Sequence, residues 1–592
     1  MAELREYIVT LHRREDLDDF YDDMETPGGS LYIPDRTVDL ALRRTISRNT
    51  HYMLMAEEAA EVAKDDRVMG VILKDKIEAF FDKAYGYTED NTTFARDNVV
   101  ASATDKNWGQ LRHTIGPNAL SGEWGSDGTA DATGSFTITA SGKNVDVLIV
   151  DGHVLPDHPE FAVNPDGTGG SRVVQFNWFS LTNQLGLGSN GVYDYTTVGS
   201  AADNAHGTHV ASTAAGNTLG WARDANIYSL EFRYLNNVNY DGPQNLTNST
   251  KYDYIREWHN TKAINPETGR RNPTVSNHSY GGAGLDRDFM ALIGFPGIVA
   301  INFRGTLNTK NPGPPQEYFS DAEIEARGLI VPPNGNWSHS GLEAPGGSGT
   351  YIAAINADVQ DAIDDGIIIV GAAGNNSKRV VNSNDQDYNN LFYYDTLGTS
   401  SYYHRIAESW GGTMDNYDNS YNGDQDNSPI VVGSIGINKD DRKASFSVCG
   451  SGVDIYAAGY GITGAGYNAT YGNVQDPRNA SYYLRKISGT SMASPQVAGV
   501  VALFLEGTPS AKQADVKHWL KGVMTTGQMF DSGTDDCTDL TSLQGSFNRI
   551  LRWVNERELT GQTWPKQNYK RRTLPQSDGR LTYPRRKVRL YG

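Results

Sequence analysis

The chain has 592 residues, of which 38% are hydrophobic, and a formal net charge of −19 at pH 7. A chain of this length is too long to fold around a single hydrophobic core, so we expect two or more structural units. The acidic balance argues against nucleic acid or an anionic membrane as the partner of the body of the protein. The two cysteines, Cys449 and Cys537, exclude a disulfide framework and a cysteine-based metal site.

The N-terminal sequence indicates that the chain is not secreted by a standard signal peptide. It reads MAELREYIVTLHRRED and contains no apolar core of signal-peptide length. No window of the chain approaches eighteen uninterrupted apolar residues, so we also expect no membrane span. These features favour a protein in the cytoplasm, or one incorporated in a virion or other assembly.

Residues 1–100 have the pattern of a small α/β unit. Tyr7, Val9 and Leu11 alternate with polar residues, as they would in a half-buried strand. The pattern then predicts a helix at 16–25, a strand at 51–55, a helix at 56–64 and a strand at 68–73. We therefore expect a separate N-terminal domain.

After a connecting segment at 101–142, the chain alternates strands and helices, which predicts a parallel α/β sheet over residues 143–525. The expected strands lie at 145–150, 225–232, 274–277, 367–370 and 430–434. Asp151 and Asn375 each follow the carboxyl end of such a strand, where open α/β sheets present their ligand sites. A closing helix is expected at 510–522.

Two long insertions interrupt this pattern, at 283–352 and 376–428. Insertions of this length predict loops or a small subdomain near the rim of a site. The second insertion carries Asp415, Asp418, Asp424 and Asp426, which we interpret as a hypothetical structural calcium site without an EF-hand pattern. No catalytic cofactor is expected, and the metal content is otherwise unknown.

The C-terminal tail, residues 526–592, differs from the rest of the chain in charge. From Lys566 onward it contains nine Lys or Arg residues against one Asp. A basic tail on an acidic protein suggests docking on an acidic partner in an assembly, and the alternative is a solvated terminus.

The sequence ISGTSMASPQVAGVVALFLE places Ser491 at the start of an apolar helix. Pro495 is expected in the first turn of that helix, where a missing N–H costs no hydrogen bond. Unpaired N–H groups and the positive end of the helix dipole favour the negative charge that forms when a carbonyl is attacked. Ser491 is therefore a candidate nucleophile, with a plain helix N-cap as the alternative.

The segment GTSMASP resembles the serine motif of the subtilisin-like proteases. Three further segments resemble the other motifs of this family: NVDVLIVDGHVLPDHPEF its aspartate motif, DNAHGTHVASTAAG its histidine motif and DDGIIIVGAAGNN its oxyanion-asparagine motif. The resemblance implies a parallel sheet flanked by helices and a serine endopeptidase that acts through an acyl-enzyme. It assigns the residues in chain order, with Asp151 as orienting carboxylate, His206 as general base, Asn375 as oxyanion donor and Ser491 as nucleophile.

The segment AEEAAEVAKDDRVMGVIL resembles the last helix and strand of the ferredoxin-like inhibitory propeptide of subtilisin-like zymogens. This implies that the first hundred residues inhibit the enzyme in the same chain until they are cut off. NWGQLRHT resembles the start of a mature domain, so a cut is expected between residues 98 and 107. An ordinary accessory domain is the alternative.

The resemblance also assigns the residues that bind a polypeptide substrate. Ser279, Tyr280 and Gly281 correspond to the strand edge that pairs with an extended peptide. The wall of the primary specificity pocket corresponds to Ala372, Ala373 and Gly374. Two departures from the family pattern stand out. Tyr280 replaces a more usual aliphatic residue, and Gly152 and His153 follow Asp151 where the family has Ser or Thr and then Gly.

Other classes of protein fit less well. A lipase-like hydrolase requires G-x-S-x-G and the order Ser, acid, His, and a zincin requires HExxH. His206 and His209 lie three residues apart and would suit a metal, but no third ligand has a matching spacing. The remaining alternative is a structural or attachment component of an assembly that carries this fold with low or delayed activity.

Overall fold

The structure of the chain is a computed structural model. It describes residues 4–34, 43–74, 82–84, 88–89, 108–115, 138–196, 201–231, 246, 250–282, 298–311, 315, 317–320, 322–323, 342–343, 350–375, 391–394, 402–405, 428–436, 441–450, 452–471, 474–533 and 542–554. The acidic loop with Asp415, Asp418, Asp424 and Asp426, the cut expected at 98–107 and the tail from Lys566 lie outside the described residues.

The α-helices in the described ranges are α1 (Leu17–Glu25), α2 (Ala56–Val62), α3 (Trp108–Ile115), α4 (Ala201–Ala215), α5 (Lys251–Thr261), α6 (Thr350–Asp364), α7 (Thr490–Gly507) and α8 (Gln513–Val523). Short 3₁₀ helices cover Arg14–Asp16, Pro159–Phe161, Trp178–Leu181 and Ala469–Tyr471. None of the helices that the structure describes is both long and apolar enough to cross a membrane.

The strands are β1 (Arg5–Leu11), β2 (Asn49–Leu54), β3 (Val68–Leu73), β4 (Asp82–Ala84), β5 (Thr88–Glu89), β6 (Asp146–Asp151), β7 (Val173–Val174), β8 (Asn226–Glu231), β9 (Thr274–His278), β10 (Tyr280–Gly282), β11 (Ile298–Phe303), β12 (Thr306–Thr309), β13 (Leu342–Glu343), β14 (Ile368–Ala372), β15 (Leu391–Tyr394), β16 (Tyr402–Arg405), β17 (Ile430–Ile435), β18 (Ile455–Ala458), β19 (Ile462–Gly466), β20 (Val474–Asp476), β21 (Asn479–Ser488), β22 (Thr525–Thr526) and β23 (Arg549–Ile550).

The N-terminal unit is a three-stranded antiparallel sheet, in the order β2-β1-β3, with α1 and α2. Its core contains Val9, Phe20, Met24, Tyr52 and Leu54, all fully buried. The strands and helices predicted for the first 73 residues are all present, because each is short and has a clear apolar period. The sheet packs on α6 of the main unit.

The main unit is built on a nine-stranded sheet in the order β22-β23-β18-β17-β14-β9-β6-β8-β7, in which all pairs except β22 and β23 are parallel. Its central strands are apolar runs buried on both faces, as is typical of a parallel sheet covered by helices. The predicted α/β architecture is therefore confirmed. The sheet continues past residue 525, since β23 lies between β18 and the edge strand β22 and Leu551 lies in the core.

Helices α4 and α7 pack closely against each other under this sheet. Gly499 of α7 lies against Trp221 and the carbonyl oxygen of Ala214, with no room for a Cβ atom. Most of α7 is fully buried, which explains why its sequence is composed of small and apolar residues. The close packing holds the N-terminal end of α7 near α4 and the ends of the central strands.

Parts of both predicted insertions join in one sheet. Its order is β12-β11-β15-β16-β13, with every pair antiparallel. β11, β12 and β13 come from the insertion at 283–352, and β15 and β16 come from that at 376–428. A small subdomain built from both insertions is therefore present.

The buried histidines should make the stability of the fold depend on pH. His113 accepts the N–H of Ala458 at Nε2, at 2.9 Å, and its Nδ1 lies 2.8 Å from the carbonyl oxygen of Leu551, so it is neutral. Burial lowers the pKa of His113, and that of His209, to about 3. Below pH 6.5 the unfolded chain binds protons at these positions and the folded chain does not. The free energy of unfolding should therefore fall by roughly 1 kcal/mol per pH unit for each histidine as the pH drops from 6.5 towards 3.

Urea unfolding at a series of pH values measures this effect. His113→Gln should reduce the slope by about one bound proton. A stability that stays constant between pH 6.5 and 4.5 would contradict the prediction.

Candidate active site

Asp151 and His206 form a buried pair at the carboxyl end of the sheet. Asp151 is the last residue of β6, and His206 is the sixth residue of α4. Nδ1 of His206 lies 2.7 Å from Oδ1 of Asp151, and both side chains are fully buried. His206 lies in the second turn of its helix, because the residues from Ala201 onward are already helical.

The carboxylate of Asp151 also accepts the backbone N–H of Gly152 at 2.7 Å. Burial raises the pKa of Asp151 above its ordinary value, and the neighbouring His206 opposes this shift. A charged acceptor at Nδ1 fixes the imidazole tautomer and the orientation of its ring. The pair is therefore arranged so that Nε2 of His206 is the nitrogen left to exchange a proton.

The glycine after Asp151 is required by packing. A Cβ atom on Gly152 would lie far inside contact distance of the carbonyl oxygen of Asp203, and one on Gly207 would overlap the carbonyl oxygen of Gly152. The turn thus lies directly on the first turns of α4. His153 continues this contact, because its N–H donates to Oδ1 of Asn204 at 3.0 Å.

Restoring the hydroxyl that the family pattern has at this position should therefore damage the protein. We expect Gly152→Ser to lower the free energy of unfolding by about 1–3 kcal/mol through overpacking against α4. Ala201→Ser, at the exposed start of the same helix, is the control and should leave the unfolding midpoint unchanged. Chemical denaturation of both variants measures the difference, and a Gly152→Ser protein as stable as the parent would refute this packing argument.

Ser491 is the second residue of α7, after Gly489 as N-cap. Its Oγ donates to the carbonyl oxygen of Ser279 at 3.2 Å. Pro495 is the sixth residue of the helix, so its predicted place in the first turn is wrong. The N–H missing at Pro495 would have bonded to the carbonyl of Ser491, and Oγ of Ser279 donates to that oxygen instead, at 3.0 Å.

A chain of hydrogen bonds joins α7 to the end of β9. Oγ of Ser494 donates to Oδ1 of Asn277 at 2.7 Å, and Nδ2 of Asn277 donates to Oγ of Ser279 at 2.9 Å. All three side chains are fully buried. Sequence reasoning did not identify Asn277 and Ser494, although the position of Pro495 signals that a carbonyl needs another donor.

Asn375 lies beside the start of α7, just past the end of β14. Its Oδ1 accepts from both the N–H and the hydroxyl of Thr490, each at 2.8 Å. Gly374, with φ of 111°, donates its N–H to the same hydroxyl at 3.0 Å. These bonds determine which end of the Asn375 amide is Nδ2 and turn it away from Thr490. Thr490 is a positioning residue that sequence reasoning missed.

The predicted substrate-binding residues surround this arrangement. Ala372 ends β14 and is buried with Ala373. Tyr280 begins β10, and its side chain is 6% exposed, with the hydroxyl 2.9 Å from Nδ1 of His278. That side chain belongs to the core beneath the strand, so the departure at Tyr280 alters the support of the strand and not the surface that faces a peptide.

The chain's own N-terminal segment lies along the edge formed by β10. β4 pairs antiparallel with β10, with Ala84 opposite Tyr280, Lys83 opposite Gly281 and Asp82 opposite Gly282. β5 pairs antiparallel with the end of β21, three residues before Ser491. The two short strands therefore pair with two segments next to Ser491: one follows Ser279, which accepts the hydroxyl of Ser491, and the other ends three residues before it.

His209 has a structural role in this region. Its Nε2 lies 3.0 Å from the carbonyl oxygen of Ile462 and 3.2 Å from that of Arg485, which ties α4 to β19 and β21. Among the residues that the structure describes, no cluster of three or more His, Cys, Asp or Glu side chains is arranged to hold a metal ion.

A sequence model of the subtilase family matches residues 142–536, which is more than half of the chain. The chain belongs to the subtilase family. One protein similar in sequence is alkaline serine exoprotease A of Vibrio alginolyticus, which is 34% identical to this chain over 122 residues, or 21% of its length. An extracellular serine proteinase of Thermus sp. (strain Rt41A) is 23% identical over 416 residues, or 69% of this chain. The matches span only 18% and 63% of the lengths of these two relatives.

Two solved structures are also similar to parts of this chain. Fervidolysin from Fervidobacterium pennivorans, described as a keratinolytic enzyme related to subtilisin, has a TM-score of 0.44 and 16% identity, over 92% of this chain and 60% of its own. A cold-adapted subtilisin-like serine proteinase has a TM-score of 0.39 and 20% identity, over 76% of this chain and 99% of its own.

Proposed function

We propose that this subtilase is a serine endopeptidase, made as a zymogen, that hydrolyses polypeptides through an acyl-enzyme. The observation that supports this best is the pairing of the chain's own strands β4 and β5 with two segments next to Ser491, the one that follows Ser279 and the end of β21. The buried pair of Asp151 and His206 supports it further. An extended peptide that adds to an exposed strand edge gains affinity from main-chain hydrogen bonds and specificity from the pockets for its alternate side chains.

In the first step, Oγ of Ser491 attacks the carbonyl carbon of the scissile bond and its proton passes to Nε2 of His206. Asp151 holds the opposite ring nitrogen and stabilises the imidazolium that forms. The negative charge on the substrate oxygen is stabilised by Nδ2 of Asn375 and by the backbone N–H of Ser491 at the start of α7.

In the second step, the imidazolium gives its proton to the leaving amine, and the C–N bond breaks to leave an ester on Ser491. Water then attacks this ester, with His206 again taking the proton, and releases the carboxylic acid. Each proton that His206 takes up is later given to the leaving amine or back to Ser491, so His206 ends the cycle neutral and water is the only co-substrate.

The same geometry suggests where the chain is cut. β4 leads towards Ser279 and Ser491, because Ala84 lies opposite Tyr280, and β5 leads away from the site beside Ser488. The peptide bonds between Ala84 and Thr88 therefore join the strands on the two sides of the nucleophile. We expect the cut within this stretch, upstream of the range of 98–107 that the sequence alone suggests.

Intact mass and N-terminal sequencing of the purified protein test this proposal. The wild-type chain should lose an N-terminal piece ending between Ala84 and Thr88, and Ser491→Ala should stay full length. A cut in the Ser491→Ala protein at the same place would assign it to another protease. A wild-type chain that never cuts itself, and that fails to hydrolyse an added denatured protein, would argue against the activity.

A further inference from the structure

A short basic segment of the N-terminal unit is inserted into the main unit next to α5 and α6. This segment, residues 43–48 with the sequence RRTISR, is called the arginine strap here. The strap contacts Asp253 on α5 and Asp358 and Asp361 on α6. These three carboxylates, together with Asp365 just after α6, which pairs with Arg256, are called the acidic socket.

Arg44 occupies the deepest part of the socket. Its Nε lies 2.6 Å from Oδ2 of Asp253, and its second terminal nitrogen lies 3.6 Å from Oδ1 of Asp358. The three side chains are at most 2% exposed. Ser47 adds a hydrogen bond of 3.0 Å to the same oxygen of Asp358. A guanidinium buried between two carboxylates is a built binding site and not a surface ion pair.

The neighbouring positions of the strap are also held. Oγ1 of Thr45 donates to the carbonyl oxygen of Gln184 at 3.0 Å, and Arg256 of α5 donates to the carbonyl oxygen of Ile46 at 3.1 Å. The side chain of Ile46 packs on the apolar core behind α5. Arg48 lies 3.2 Å from Asp361. Arg44, Thr45 and Ile46 therefore each have a specific place.

Without the strap, the socket carries excess negative charge. Arg256 pairs with Asp361 and Asp365, at 3.3 and 2.8 Å. Among the ion pairs of the described residues, it is the side chain of the main unit that contributes positive charge to these four carboxylates. One guanidinium serves four carboxylates, so the socket depends on the cations that Arg44 and Arg48 supply in the intact chain. Loss of the N-terminal unit would therefore leave a site that favours another arginine.

The tail contains a second copy of the strap's pattern. Of the five Arg-Arg pairs in the sequence, only Arg43-Arg44 and Arg571-Arg572 are followed by Thr and then an aliphatic residue. Aligned on this pattern, Arg572, Thr573 and Leu574 correspond to Arg44, Thr45 and Ile46. The alignment places Gln576 at the position of Arg48, so the tail would bind the socket less tightly than the strap does.

The tail is long enough to reach this site. The described part of the chain ends at residue 554, just after β23, and about four strand spacings of roughly 4.8 Å separate β23 from β9 across the sheet. The 17 residues between 554 and 571 span up to about 56 Å when extended. That length covers the sheet and the helical layer beside it.

We propose that the acidic socket is a docking site for an Arg-Arg-Thr-aliphatic segment, filled by residues 43–46 in the intact chain and by residues 571–574 of the tail after the N-terminal unit has been cut off. The tail then competes with the strap and hastens release of the inhibitory unit. This inference rests on the proposed zymogen processing, but its test does not.

The test uses the full-length Ser491→Ala protein with a recognition sequence for an added site-specific protease placed within residues 90–98. After the added protease has cut this segment, size-exclusion chromatography at a series of dilutions measures how much of the N-terminal piece stays bound. We expect Arg572→Glu to retain the piece about tenfold more tightly, because a tethered competitor is lost. Arg585→Glu removes an arginine of the same tail outside the pattern and should match the parent.

A photo-reactive residue at position 574 provides a direct readout in the cut protein. Crosslinks should map to α5 and α6, and they should be absent before the cut, when the strap fills the socket. Equal retention for Arg572→Glu and Arg585→Glu would overturn the proposal, whether both match the parent or both differ from it. Crosslinks confined to other parts of the chain would overturn it as well. Because Ser491 is absent throughout, failure here leaves the proposed activity untouched.

Discussion

Replacing Ser491 with alanine is expected to abolish peptide hydrolysis while leaving the fold intact. The substitution removes only Oγ, the proposed nucleophile, and its 3.2 Å hydrogen bond to the carbonyl oxygen of Ser279, and the N–H groups at the start of α7 stay in place. We expect kcat to fall by about 10⁶-fold, which is the loss found when the corresponding serine is removed from subtilisin itself. Hydrolysis of a fluorogenic peptide by the cut protein measures the effect.

The motif offers a matched control three residues further along the same helix. Ser494→Ala removes a hydroxyl that donates to Asn277 at 2.7 Å and does not touch a substrate in the proposed mechanism. We expect it to lower the free energy of unfolding by about 1–3 kcal/mol, because the buried Oδ1 of Asn277 loses its donor. Its kcat should stay within tenfold of the parent. If Ser491→Ala also kept activity within tenfold, the assignment of the nucleophile would be wrong.

Much of the fold could be predicted because its signals are local. The segments 68–73 and 274–277 match β3 and β9 to within one residue, since apolar runs bounded by polar residues determine where a short strand lies. The order of the motifs also led to the buried Asp151 and His206 pair. Asp151 ends a strand of the predicted sheet and His206 lies in a helix that packs against that strand, so the resemblance of the motifs was enough to select both residues.

Other features depend on contacts between distant residues, and the sequence alone did not reveal them. Gly152 looks like the loss of a useful hydroxyl, yet it is the residue that lets the turn lie on α4. The sequence suggests that Pro495 lies in the first turn of its helix, but it lies in the second. The carbonyl oxygen of Ser491 therefore lacks a helical N–H donor, and the hydroxyl of Ser279, 212 positions before Ser491, donates to it instead. A single sequence carries no local mark of such partners.

The arginine strap was missed for the same reason. RRTISR is a polar stretch between the predicted helix at 16–25 and the next strand, and polar stretches usually lie on the surface. In the structure Arg44 is fully buried, because Asp253 and Asp358 lie 209 and 314 residues further along the chain and compensate its charge. The N-terminal segment is therefore attached in two ways. β4 and β5 pair with β10 and β21, and Arg44 forms ion pairs with carboxylates on α5 and α6.

Removing the charge of Arg44 should produce the largest loss of stability among these predictions. In the Ser491→Ala background, which prevents self-cleavage, Arg44→Met keeps most of the volume but leaves Asp253 and Asp358 buried without their cation. We expect the free energy of unfolding, measured in urea, to fall by about 3–5 kcal/mol. Arg44→Met combined with Asp253→Leu should recover part of this loss, since one buried charge disappears and apolar volume replaces it.

Arg13→Met breaks an exposed pair with Asp16 in the same unit and should leave the midpoint unchanged. Equal effects at Arg44 and Arg13 would show that the socket contributes no more than a surface ion pair.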